Sequence, residues 1–112
     1  MSKQTIKISD LRHRIKFQKE KKTADDYHGH TSTWNDVAVV WAKVEPVSGR
    51  EYYYAHQLKN AISHKITVRY RDDITVEMRV VFEERIMKIE SLINLQERER
   101  FIELRCMEEK NA

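Results

Sequence analysis

The chain has 112 residues, 40% apolar and 35% charged, and a net charge of +3 from 21 basic and 18 acidic residues. That length supports one domain, spanning 1–112, that buries about two-thirds of its unfolded surface; two Gly and one Pro leave little material for low-complexity linkers. The single Cys106 excludes an internal disulfide framework, and the longest uncharged apolar run, Val37 to Ala42, is too short to cross a bilayer.

Basic and acidic residues are interspersed. Lys19, Lys21 and Lys22 are followed by Asp25 and Asp26, and Arg69 and Arg71 by Asp72 and Asp73. A dedicated nucleic-acid binder shows a more one-sided charge, and this mixture fits a matched protein–protein surface at least as well. Residues Met1 to Thr5 offer no apolar segment for a signal peptide, so the chain is expected to be cytoplasmic at synthesis.

Residues 1–8 read as a flexible arm. From Leu11 to Gln18 the pattern alternates: Leu11, His13, Ile15 and Phe17 face one way, Arg12, Arg14, Lys16 and Gln18 the other. This predicts a half-buried strand with a basic outer face. Lys19 to Ser32 lacks apolar periodicity and contains Gly29, so it reads as a long charged loop. His28 and His30 flank that glycine, but without Cys or carboxylate at ligand spacing they are a weak zinc signal. Thr33 to Pro46 predicts a long strand, apolar on both faces from Val37 to Ala42 as if covered on both sides, and ended by Pro46.

The only convincing helical pattern follows, over 48–62. Ser48 and Glu51 have capping-box spacing, and Tyr54, Leu58, Ala61 and Ile62 share a face. Arg50, Tyr53, Gln57 and Asn60 look outward. The run Tyr52-Tyr53-Tyr54 would spread rings around a helix, leaving at least one for an interface.

Alternation then returns. Ile66, Val68 and Tyr70 point inward; Asp72-Asp73 is a turn; Met78–Phe82 and Arg85–Ile93 are strands joined tightly at Glu83-Glu84 without the expected glycine. Asn94 to Arg100 is a charged loop. Phe101 to Met107 predicts a last strand with Ile102, Leu104 and Cys106 on one face, although the residues of 96–109 also favour helix. The fold class is therefore mainly β with one α-helix: a small antiparallel β-barrel of about six strands, with the helix and the long loop inserted between them.

Catalytic signatures do not stand out. The sequence has no glycine-rich phosphate loop, no paired-Cys metal motif and no Gly-Xaa-Ser-Xaa-Gly elbow, and Cys106 occupies an alternating apolar position. No catalytic, cofactor or metal residue is expected.

The order of these pieces resembles the bacteriophage head–tail adaptor family, also called head–tail joining, head-closure or stopper proteins. The resemblance rests on Leu11-Arg12-His13-Arg14-Ile15, Trp34-Asn35-Asp36-Val37-Ala38, and the run Val40-Trp41-Ala42-Lys43-Val44-Glu45-Pro46-Val47-Ser48-Gly49-Arg50-Glu51. It continues through His64-Lys65-Ile66-Thr67-Val68-Arg69-Tyr70-Arg71, Met78-Arg79-Val80 and Ile89-Glu90-Ser91-Leu92-Ile93-Asn94. One departure is Glu83-Glu84, where similar proteins often carry Gly before the arginine matching Arg85.

The resemblance implies a virion protein that forms a dodecameric ring in the head–tail connector. The ring would close the portal channel on the packaged DNA and dock the tail. The implied partners are further copies of the chain, a portal or adaptor protein above, a tail-terminator or tail protein below, and the DNA in the channel, with no membrane. The chain itself would be monomeric in isolation. On this reading Arg50, Glu51, Tyr52, Tyr53 and Gln57, with Arg12 and Arg14, are candidate assembly residues. Lys21, Lys22, Asp25, Asp26, Tyr27, His28 and His30 form a candidate channel loop. Two other readings stay open: a tail-terminator ring subunit, and a nucleic-acid-binding barrel using Arg12, Arg14, Lys16, Arg69 and Arg71 with Tyr70 or Trp34 for stacking.

Overall fold

The computed structural model describes residues 6–24, 30–47, 62–95 and 100–109. After a 3₁₀ turn at Ile8–Asp10, the strands are β1 (His13–Ala24), β2 (His30–Pro46), β3 (His64–Arg69), β4 (Arg79–Phe82), β5 (Arg85–Asn94) and β6 (Phe101–Glu108). They close into one antiparallel barrel in the order β1-β2-β3-β6-β5-β4.

Alternation explains the walls. Ile15 and Phe17 from β1, Ile66 and Val68 from β3, Val80 from β4, Met87 and Ile89 from β5, and Ile102, Leu104 and Cys106 from β6 form one core. Most side chains between them are more exposed, Thr67 between Ile66 and Val68 being buried as well. Each large buried side chain contributes about 1.5–3 kcal/mol relative to exposure. Phe101–Glu108 is strand, with alternate positions buried, which resolves the choice left open for that segment.

Two irregularities change the parity. On β2 the register moves from Phe17↔Ala38 to Gln18↔Asp36, leaving Val37 as an extra residue. On β5 it moves from Ile89↔Cys106 to Ser91↔Arg105, leaving Glu90 extra. Such bulges bend a strand and re-aim the side chains beyond them. Val37 packs on the core at the bulge, while Val40 and Val44 face inward with Ala42 by plain alternation.

Two expectations change. The segment 19–32 is largely strand rather than loop: Lys19 to Ala24 pairs residue by residue with His30 to Asn35, extending β1 and β2 as a two-stranded ribbon. The ladder supplies the order that apolar periodicity does not. The run Val37–Ala42 is not covered on both faces, since Val39 and Trp41 remain 50% and 52% exposed. Val37, at the bulge, and Val40 pack on the core, and the Arg14 guanidinium lies 4.7 Å from the Trp41 ring. Of the expected N-terminal arm, 1–8, only Ile6, Lys7 and Ile8 are described; Lys7 N–H donates to Asp10 Oδ2 at 3.0 Å, and Leu11 beyond it is buried. The helix expected over 48–62 lies outside the described residues except for Ile62, which is in irregular structure.

Candidate assembly surfaces

β2 carries something at both ends. Its N-terminal half forms the ribbon with β1, and its C-terminal end leads through Pro46 and Val47 into the 48–61 insert, which returns at Ser63 and β3. The two appendages therefore leave opposite ends of one strand.

The ribbon root is braced on its outer side. Arg79 from β4 donates from Nε to Gln18 Oε1 at 2.8 Å and lies over the Trp34 ring at 4.0 Å. Gln18 Nε2 in turn donates to Asp36 Oδ1 at 2.9 Å, and Lys16 Nζ lies 3.3 Å from Asp36 Oδ2. The Gln18 hydrogen bond, with Lys16 beside it, holds the Asp36 carboxyl below its ordinary range. This chain of contacts straddles the β2 bulge, where the barrel wall gives way to the ribbon.

The insert root is closed by a second network. Val47 N–H donates to Ser63 O, and Ser63 N–H donates to Cys106 O, each at 2.9 Å. The Ser63 hydroxyl accepts from Glu108 N–H at 2.8 Å, lies 2.9 Å from His64 Nδ1, and donates to Cys106 O at 3.4 Å. Arg85 Nη2 lies 3.0 Å from His64 Nε2, and the same guanidinium ion-pairs with Glu108. Arginine can only donate, so Nε2 accepts and Nδ1 carries the proton of a neutral imidazole. Burial, reinforced by the Arg85 charge, pushes the His64 pKa below its ordinary value.

The third feature is an open groove of about 620 Å³ between β2 and the end of β3, lined by Ile8, Leu11, Val40, Trp41, Arg69, Tyr70 and Arg71. It exists because the β2–β3 pairing stops at Ala42↔Val68, beyond which the two strands part. Arg71 is engaged by Asp73 through Nε at 3.0 Å and Nη2 at 2.8 Å. Arg69 is exposed and makes no ion pair among the described residues.

The predicted site residues divide unevenly. Arg12 and Arg14 are exposed on the strand β1 approach; Arg12 Nε donates to Ser9 O at 3.2 Å, and Arg14 stacks on Trp41. Lys21 and Lys22 are exposed on the ribbon, and His30 begins β2. Asp25, Asp26, Tyr27, His28, Arg50, Glu51, Tyr52, Tyr53 and Gln57 lie outside the described residues. The proposed basic face is largely engaged within the chain: Lys16 by Asp36, Arg71 by Asp73, Arg14 on Trp41, with Trp34 under Arg79. This geometry does not favour base stacking. Among the described residues no three His, Cys, Asp or Glu side chains are grouped to hold a metal, and no helix is long and apolar enough to cross a membrane.

A closed barrel with a ribbon and an insert leaving opposite ends of one strand is the architecture of a small β-barrel module. The chain belongs to the phage head completion protein family, whose model matches residues 6–110. It is 36% identical over 73 residues to the head completion protein gp16 of Bacillus phage SPP1, covering 65% of this chain and 67% of that protein. The fold is similar to the solution structure of protein SF1141 from Shigella flexneri 2a, with TM-score 0.72 and 28% identity over 92% of this chain and 96% of that one. A chain in the virion of a native gene transfer agent particle shares the fold at TM-score 0.59 and 17% identity, covering 86% and 92%. The family is one of structural virion components, and membership places the chain in the phage particle, in contact with other virion proteins.

Proposed function

We propose that the chain assembles as a ring in the head–tail connector, closes the portal channel on the packaged DNA and provides the docking surface for the tail. The observation that carries this reading is the pair of appendages at opposite ends of β2. A barrel set in a ring wall can then send one projection toward the channel and the other toward a neighbouring ring. The ribbon bearing Lys21 and Lys22, with Asp25, Asp26, Tyr27, His28 and His30 at its end, is the channel element. The insert bearing Arg50, Glu51, Tyr52, Tyr53 and Gln57 is the assembly element, together with Arg12 and Arg14. Mixed charge in the channel element lets DNA slide without being held. The partners are further copies of the chain, a portal or adaptor protein on one side and a tail-terminator or tail protein on the other. Alone, the chain is a monomer, because interspersed charges of both signs match across an assembled contact without driving free chains together.

Deleting Lys21, Lys22, Ser32 and Thr33 tests the channel element. These residues form two register pairs, Lys21↔Thr33 and Lys22↔Ser32, so the deletion keeps the pleat and retracts the tip by roughly 7 Å. Heads completed with this variant should lose packaged DNA. Full retention would remove the ribbon as the closing element.

A further inference from the structure

The segment linking β3 to β4 spans the barrel. In the closed order β1-β2-β3-β6-β5-β4, β3 and β4 are three strands apart in either direction and so lie on opposite walls. Tyr70 and Arg71, at the β3 end of this link, line the groove described above. At the β4 end the chain makes a tight turn, with Met78 N–H donating to Thr75 O at 3.2 Å, that presents Val76 and Glu77 at its tip. Ile74 and Met78 on either side are buried at 6% exposure each and pin the turn to the core. Val76 is nevertheless 50% exposed, and Glu77 is exposed without an ion pair among the described residues.

The two ends of the link are complementary. One is a concave surface of Ile8, Leu11, Val40, Trp41 and Tyr70 beside the unpaired Arg69. The other is a turn pinned to the core, with an exposed aliphatic residue and a carboxylate that makes no ion pair among the described residues, on the side of the barrel that faces Lys19 and Lys22. Neither surface can satisfy the other within one chain, because the barrel separates them. Two different patches on opposite walls are what a heterologous, head-to-tail contact requires, and such contacts close into rings when the rotation permits.

We infer that the lateral contact between neighbouring copies seats the Val76-Glu77 turn of one chain in the Trp41–Tyr70 groove of the next, with Glu77 against Arg69. This rests on the ring proposed above and assigns the surfaces that would build it. Complementary charge at such a contact sets register and suppresses wrong partners.

The test uses completed phage particles, because the free chain is expected to be monomeric. Particles carrying the double variant Ile8→Cys, Val76→Cys are oxidised and their proteins separated by size; the native Cys106 is buried and does not compete. A ladder of cross-linked multiples of the chain is expected, with none from either single variant. In parallel, Arg69→Glu and Glu77→Arg should each lower the titre at least about tenfold, and together restore it to within about threefold, as a reversed charge pair would. Both positions are exposed, so the purified variants should melt like the parent; the cysteine pair supplies the readout if one does not. Several copies per particle with neither ladder nor mutual rescue would overturn this contact while leaving the ring intact. A single copy per particle would overturn the ring and the contact together. Cross-linking to a different protein would give the groove to that partner instead and refute the inference.

Discussion

Ser63 is a single hydroxyl on which three parts of the insert root converge. Replacing it with Ala leaves Glu108 N–H and His64 Nδ1–H without their acceptor, while Cys106 O keeps the Ser63 backbone donor. Each stranded donor costs about 1 kcal/mol, toward the low end because the site is only part-buried, so the substitution should cost about 1–2 kcal/mol. At roughly 2.1 cal/mol/K per residue over 112 residues, 1 kcal/mol corresponds to about 4 °C, and the expected drop in Tm is about 4–9 °C. Ser63→Thr keeps the hydroxyl just ahead of β3, so it should stay within about 0.5 kcal/mol of the parent. Thermal unfolding followed by circular dichroism gives the global number. Hydrogen exchange at Val47, whose N–H is held by Ser63 O, shows whether the loss is local to the root. If Ser63→Ala melts with the parent and Val47 exchanges no faster, the three-way bond is not what closes the insert.

Other consequences follow from the same geometry. The hairpin at Glu83-Glu84 places Glu83 at φ 57, the only positive value among the described non-glycine residues, so Glu83→Gly should stabilise by up to about 1 kcal/mol in denaturant melts; a loss would refute backbone strain there. His64 is held below its ordinary 6.5 in the folded chain, so the unfolded chain takes up the proton first. Stability is therefore complete above about pH 6.5 and falls as pH drops through that value toward the folded pKa, and His64→Gln should flatten this decline in Tm measured between about pH 7.5 and about pH 5; parallel curves would refute the assignment. Burial raises the Cys106 thiol from 9.0 to about 12, leaving about a thousandfold less thiolate at neutral pH. Iodoacetamide labelling should then track unfolding, and rapid labelling of the native chain would contradict a closed barrel.

Much of the barrel was legible because its wall residues alternate. Ile15 and Phe17, Ile66 and Val68, and Ile102, Leu104 and Cys106 all fall on the buried face that their spacing assigns. The ribbon was not legible, since Lys19 to Lys22 is polar or charged throughout and its order comes from backbone pairing with β2. Parity across Val37 to Ala42 was misread because a bulge leaves no mark in composition; only the shift from Ala38 to Asp36 opposite Phe17 and Gln18 reveals it. The Ser63–His64–Arg85–Glu108 network was invisible for a different reason. The adjacent Ser63 and His64 lie 21 to 45 positions from the Arg85 and Glu108 they contact, and the four meet only when β3, β5 and β6 close beside one another. Arg79 on Trp34 is likewise a product of β1 pairing with β4 and β2 at once.

The 17 residues of β2 have a mechanical meaning as well. One strand, bulged at Val37, runs from His30 on the ribbon, through the barrel wall, to Pro46 at the base of the insert. A push along the ribbon loads its bonds to β1, from His13 to Ala24, and to β3, from Ala42 to Pro46, in shear and all together. Bonds strained in parallel share the force, whereas a sideways pull would peel them one at a time. The strand is thus a strut: stiff along its own axis, yielding across it, and anchored at its far end where the insert begins.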